Sequence, residues 1–444
     1  MNKSISFKNI NKLAIPALIA GIAEPILSIT DTAIIGHIDI NATESLAAVG
    51  IVGTFISMLI WVFGQVRSAI SSIISQYVGA NKLDEIKELP AQAIAMIVAS
   101  SLLVLALSYP FSRQIFQFYN ASDQILDYCI AYFNIRIFGF PFALFVFAFF
   151  GTFRGLQNTF YPMIIAIIGA SLNIVLDIIL VYGIEGYIPA MHVEGAAYAS
   201  VIAQVVMAII SLVLLLKKTA ISLRLSFTLH AEVPRLLNMI GNLFIRTIAL
   251  NVALYLATSY ATDYGKEYIA AYTISINIWL LGAFMIDGYS SAGNILSGKL
   301  LGAKEYKSLV ILSNKLFKYG IVIGTIIAIL GAVFYNAIGR IFTNETLVLE
   351  QFYTVFWIVL ITQPINAITF IFDGMFKGMG EMKYLRNLLI LATGLVFVPT
   401  LLIFDYLNYK LIAIWLAFTC WIIARGLPLV FKFRKKFIPL AENQ

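Results

Sequence analysis

Charge is scarce in this chain. Asp, Glu, Lys and Arg make up 12% of its 444 residues, while 60% are hydrophobic; a soluble globular chain carries about a quarter charged residues. Cysteine is scarcer still. Cys129 and Cys420 lie inside apolar runs with no CxxC spacing and no histidine partner, which excludes a disulfide scaffold and a thiolate metal site. The three histidines, His37, His192 and His230, stand singly near run ends or in connectors, without metal-ligand spacing. Gly-rich phosphate loops, a Walker motif and a Ser/His/Asp arrangement are all missing. The residues mark neither an enzyme nor an ATP-driven machine, and no cofactor is called for.

Long apolar stretches are present instead. They cover approximately 13–37, 46–77, 90–110, 127–153, 160–183, 193–216, 237–262, 268–298, 317–338, 351–380, 385–405 and 410–431. Each can cross a bilayer, since about 20 helical residues span the hydrocarbon. The runs are continuous and lack the two-residue alternation of barrel strands, so helices are expected. The fold class is an all-α integral membrane protein with twelve transmembrane helices. The first run is too long for a removable signal peptide and carries acids, so it reads as a permanent span.

The net charge of +7 is unevenly spread. With the N-terminal tail inside, alternate connectors hold Lys82, Lys87, Arg154, Lys217, Lys218, Lys304, Lys307, Lys383 and the Lys432–Lys436 group, while the outer ones hold only Arg113, Lys266, Arg340 and Lys410. That bias is the positive-inside rule; it predicts two cytoplasmic termini and explains the basic balance without nucleic acid.

The longest polar connector, 217–236, falls at the midpoint and suggests two six-span units: 1–216, the linker 217–236, and 237–444 with its basic cytoplasmic tail. An offset tests the duplication. Gly79, Pro141, Gly151, Arg154 and Gly155 are matched 223 residues later by Gly302, Pro364, Gly374, Lys377 and Gly378. Each unit has an even number of spans, so the predicted pseudo-symmetric lobes share one orientation, with a cavity between them.

Acids inside the runs are few: Glu24, Asp31, Asp177, Asp287 and Asp373. A charge near the middle of a span costs several kcal/mol or more unless it faces a protein-lined or wet interior. Asn173 and Asp177 are four residues apart and share one helix face. A carboxylate with an amide one turn away can hold a proton or ligate a small cation such as sodium; it can equally lock two helices by a hydrogen bond. Glu24 precedes Pro25, a candidate helix hinge. Glu24, Asp287 and Asp373 are further titratable or substrate-path candidates, with backbone or packing roles as the alternative. Arg67, Arg136 and Arg246 could counter an acid or snorkel to the interface. Tyr255, Tyr272, Trp279 and Phe284 could face a cavity and stack on an organic cation, although lipid or core packing explains each one singly.

These residues carry a resemblance. EPILSITDTAIIGHI, SQYVGA, FFGTFRGLQNTFYP, SLNIVLDIILVYG, VEGAAYASVIAQ, MIDGYSSAGNILSGKLLGA and FIFDGMFKGMG together make the chain similar to the multidrug and toxic compound extrusion (MATE) family, in its DinF-type branch. The resemblance implies a monomeric inner-membrane antiporter of two six-helix lobes. It would export amphipathic, often cationic compounds in exchange for H+ or Na+. The family's cation site maps onto Asp31, Asn173, Asp177 and Ser200, with serine at the last position where threonine is common. Span seven lacks the acid that another branch uses, so the coupling site is expected in the first half alone. The 223 shift carries Asp31 to Leu254 and Asp177 to Thr400, which agrees. A flippase for lipid-linked saccharides, from the same wider superfamily, is the alternative; it would favour a cationic cavity for pyrophosphate.

Overall fold

The computed structural model describes residues 5–38, 41–223 and 228–444. The side chains of six helical residues, Glu24 and Pro25 among them, fall outside the described set, so the readings placed on Glu24 and on a hinge at Pro25 lie outside the described residues.

With no water in the hydrocarbon, a segment must satisfy its own backbone, and these apolar runs do so as helices. Span one is Phe7–Ile35, two is Ala42–Phe63 with Val66–Gly79, three is Leu89–Ser108, and four is Asp123–Arg136 with Phe140–Gly155. Spans five to eight are Phe160–Tyr182, His192–Lys218, Val233–Asp263 and Lys266–Gly302. Nine is Tyr306–Val333, ten is Thr346–Ile361 with Gln363–Gly378, eleven runs Met382–Tyr406, and twelve is Leu411–Glu442. Eleven of these, counting the bent tenth as one, are long and apolar enough to cross a membrane; span one, 29 residues long, makes the twelfth. The outward faces confirm the solvent. Leu102, Leu103 and Leu107 of span three are 51, 60 and 59% exposed, a run that water would penalise and lipid does not.

Two helices outrun their apolar stretches. Span nine begins at Tyr306 and not near 317, with Lys307, Lys315 and Lys318 on its first turns; Lys315 Nζ donates to the Ile5 carbonyl at 2.8 Å. The basic C-terminal tail is helical too, continuing span twelve to Glu442. Hydropathy marks where the bilayer ends, whereas backbone hydrogen bonding marks where the helix ends, and lysines at a terminus extend past the first boundary.

The described chain divides into two compact units: Ile19–Ile74 with Lys82–Leu237, and Met1–Leu18 with Ser75–Asn81 and Asn238–Gln444. In the first, Val146 and Phe150 of span four pack with Ile165 and Ala166 of span five and Ala208 of span six. The midpoint connector is tied down within this unit. Gln92 donates to the Thr228 carbonyl at 2.9 Å and accepts from the His230 amide at 2.9 Å, while the His230 ring bonds to the Glu85 carbonyl at 2.8 Å. In the second unit, Trp415, Phe418 and Trp421 of span twelve anchor a core with Phe352, Phe356 and Phe397.

Positions related by the 223 offset make matching contacts in the packing. Both fourth-of-six spans break at the matched prolines: span four passes through a 3-10 turn, Ile137–Gly139, ahead of Pro141, and span ten bends by 51° ahead of Pro364. Proline removes the backbone donor that would hold the preceding turn. Each broken span then presents a GxxxG pair to the helix two before it. Gly151 lies against Arg67 and Gly155 against Ile74 and Ser71; Gly374 lies against Ser290 and Gly378 against Asn294 and Ser297. Those partners are themselves related by the 223 shift. Small residues here let helix backbones approach closely. Gly79 and Gly302, also matched, meet reciprocally: a Cβ on Gly79 would collide with the Lys299 carbonyl, and one on Gly302 with the Gln76 carbonyl.

Between spans ten and eleven, Glu381 takes Lys432 Nζ at 3.3 Å and Lys436 Nζ at 2.8 Å. Partial burial works to raise its pKa, but the two ammonium groups outweigh it and hold the carboxyl below its ordinary value. The resulting stabilisation is present at neutral pH and lost as pH falls through the lowered folded pKa. The exposure of all three groups keeps it to a few tenths up to about 1 kcal/mol. Glu381→Gln should therefore lower the thermal midpoint of the detergent-solubilised protein at neutral pH, with the gap to wild type closing as pH falls through the lowered pKa of the folded carboxyl; a gap that persists in strong acid would disprove the assignment.

Candidate functional site

Asp31 sits on span one, 9% exposed, and Asp177 on span five, fully buried. Their carboxyl groups stand within hydrogen-bonding reach of each other. Two carboxylates are acceptors only, so such a pair is held by a proton or cation between them, not by itself. Asn173, one turn before Asp177, is 2% exposed and its Nδ2 has no acceptor; Asp31 Oδ1 and both Asp177 oxygens have no donor. Buried polar atoms left this way are costly.

Among the described residues, one positive charge acts on the pair. Arg136, at the break in span four, acts on both Asp31 and Asp177, and its Nη1 donates to Gln204 Oε1 of span six at 3.1 Å. Tyr132, one turn earlier and 3% exposed, stands beside the same guanidinium and both acids. Two acids against one guanidinium leave one negative charge to be balanced. Ser200 is buried on span six, 4% exposed, but no hydrogen bond among the described residues joins it to the acids. Span six does run close beside span five there, since Gly195 lies against the Leu180 and Val181 backbone.

The structure therefore brings Asp31, Asn173 and Asp177 together and adds Arg136, Tyr132 and Gln204. Arg136 was visible in the sequence only as one of three arginines that could counter an acid. Gln204 lies in the VEGAAYASVIAQ stretch, one turn past Ser200, and Tyr132 one turn before Arg136; those i, i+4 spacings are the signals that could have found them.

Asp373 has a different setting. Its Oδ1 accepts from Arg246 Nη2 at 2.6 Å and its Oδ2 from Lys377 Nζ at 3.0 Å, and Arg425 Nη2 lies 3.9 Å from Oδ1. Asp287, half-buried on span eight, acts on Lys377. Arg425 was not among the arginines singled out in the sequence. The candidate aromatics scatter: Tyr255 is 71% exposed, whereas Trp279 is buried edge-on to Phe370 at 5.8 Å. Both cysteines are free, and no group of three potential metal ligands occurs among the described residues.

Comparison with known proteins agrees with this architecture. The MatE family model matches residues 16–179 and again 242–402, once in each half. The chain is 26% identical to the Escherichia coli DNA damage-inducible protein F, covering 95% of this chain and 91% of that one. It is 27% identical to a Pasteurella multocida protein named probable multidrug resistance protein NorM, over 89% of this chain and 85% of that one. Among solved structures, the Vibrio cholerae MATE transporter VcmN in its bent form superposes with a TM-score of 0.89 at 18% identity, covering 98% of this chain and 97% of that one, a likeness of fold. Doubled six-span halves, their matched glycines and prolines, and the two family-model matches lead to one conclusion: the chain belongs to the MatE family.

Proposed function

We propose that this protein is a secondary active multidrug efflux antiporter of the plasma membrane. It exports amphipathic, cationic organic compounds by alternating access, in exchange for H+ or Na+ bound at Asp31 with Asn173 and Asp177. The carrying observation is the buried acid pair faced by one guanidinium among the described residues, with Asp31 Oδ1 and both Asp177 oxygens lacking a donor. Such a site is one charge short of neutral and takes either a proton or a small cation. Ser200 lies on the adjoining helix and offers a further oxygen. Relatives named for multidrug resistance and multidrug export support the efflux reading. The inside-positive connectors support cytoplasmic termini, and the family resemblance supports a monomer.

Purified protein in sealed vesicles, loaded with a fluorescent cationic dye, tests the proposal. Dye should move against its gradient when a pH gradient or a sodium gradient is imposed separately. One of the two should suffice and identifies the ion; efflux driven by neither would refute the reading. The flippase alternative draws on one observation, the buried Arg246 and Arg425 with the partly buried Lys377 beside them. Raised resistance to cationic dyes in a drug-sensitive host separates the two, since a flippase for lipid-linked saccharides would give none.

A further inference from the structure

The second half of the chain has the opposite electrostatic fault from the first. In the first, unsatisfied groups around Asp31 and Asp177 are mainly acceptors. Around Asp373 they are donors. One buried carboxylate stands among three cations, Arg246, Lys377 and Arg425, and Asp287 is the one other acid acting on the cluster among the described residues. Three positive charges against two negative leave one uncompensated. Asp373 hydrogen-bonds Arg246 through one oxygen and Lys377 through the other, and Arg425 at 3.9 Å is beyond hydrogen-bond reach.

The leftover bonding capacity is specific. Arg425 is 3% exposed and Arg246 is 7% exposed; Arg425 Nη1 and Arg246 Nε have no acceptor. Asn366, two turns before Asp373 and on the same face of span ten, also has a buried Nδ2 without an acceptor. Asn242 Oδ1 and Gln363 Oε1 lack donors in the same half, but neither carries charge. Guanidinium stays charged in proteins, so burial does not remove the imbalance by deprotonation. An apolar platform adjoins the charge: the Arg425 guanidinium lies 4.4 Å over the Trp421 ring and 5.8 Å from that of Phe370.

We propose that Arg246 and Arg425, with Lys377, form a buried anion site in the second half that receives a single oxyanion group, a carboxylate, sulfonate or phosphate ester, carried on an apolar or aromatic body. Arg425 Nη1 and Arg246 Nε donate to the oxyanion, and Trp421 and Phe370 flank its body. The occupant can be a free organic anion or an anionic lipid headgroup. The site shares no residue with the acid pair and does not rest on the efflux reading, so a failure of one leaves the other standing.

Calorimetric titration of the whole protein in neutral detergent at low salt tests it without any gradient. Benzenesulfonate should bind at least about tenfold more tightly than neutral benzyl alcohol or cationic benzylammonium, a preference of the size charge-assisted hydrogen bonds provide. Arg425→Gln should weaken benzenesulfonate by a similar factor. Asp373→Asn should strengthen it, because it frees Arg246 and Lys377 from their internal acceptor; a merely structural carboxylate would give no such gain. Phosphatidylglycerol added to the micelles should compete with benzenesulfonate if the occupant is a lipid headgroup, while indifference to it assigns the site to free anions. Equal binding of sulfonate and alcohol by wild type overturns the proposal even if the variants do not fold. So does an unchanged sulfonate affinity in a folded Arg425→Gln protein.

Discussion

Asp31→Asn is expected to abolish ion-driven efflux while the protein still folds and inserts. The substitution keeps the shape of the side chain and replaces a buried acid with a neutral amide, which a membrane span tolerates better than the charge it removes. The site loses its purpose electrostatically. With Asp31 neutral, Asp177 alone faces Arg136, one negative charge against one positive, and no proton or cation is needed to balance them. A gradient then has nothing to act on. Coupling between two sites usually amounts to about 1–3 kcal/mol, or roughly 5–150-fold, so a fall in the dye-efflux rate of at least about tenfold is expected. Everted vesicles with matched protein content by immunoblot provide the measurement; wild-type rates in the variant would remove Asp31 from the coupling site. Asp177→Asn should do the same, since either change leaves one acid opposite Arg136.

Gly302→Ala is expected to be nearly as damaging as Gly302→Val. The collision is with the first atom of any side chain: a Cβ there falls inside contact distance of the Gln76 carbonyl, and both partners are helix backbone that cannot swing aside. Overpacking of this kind typically costs about 1–3 kcal/mol and sometimes more. Gly241, on span seven, is the control, with no atom within 4 Å of its would-be Cβ. Gly241→Ala should be neutral or stabilising by up to about 1 kcal/mol from helix propensity. Thermal unfolding of the three purified variants beside wild type, read by loss of the monodisperse peak on size exclusion, gives the comparison. If Gly302→Ala matches wild type, the helices do not cross as closely as the structure has them.

Much of the fold was legible because the bilayer imposes simple demands. Apolar length sets the spans, and glycine and proline recurring at one offset point to two related halves. Helix ends were less legible, as spans nine and twelve show, because hydropathy is silent about helices that continue into water. In the candidate site, Asp31 and Asp177 drew attention as acids where acids are costly. Arg136 was harder to place, since an arginine at a break in a helix looks the same whether it snorkels or turns inward. Arg425 was missed. It occupies a run dense in tryptophan and phenylalanine, and only the packing of span twelve against span ten shows that its charge is buried beside Asp373.

The reciprocal meeting of Gly79 and Gly302 carries an evolutionary consequence. When residue i of one copy touches j of the other, and j of the first touches i of the second, the contact has the form of an isologous homodimer interface. Here Gly79 meets Lys299 and Gly302 meets Gln76, positions that are equivalents of one another. A six-span ancestor pairing with itself through this surface would leave such a trace after gene fusion.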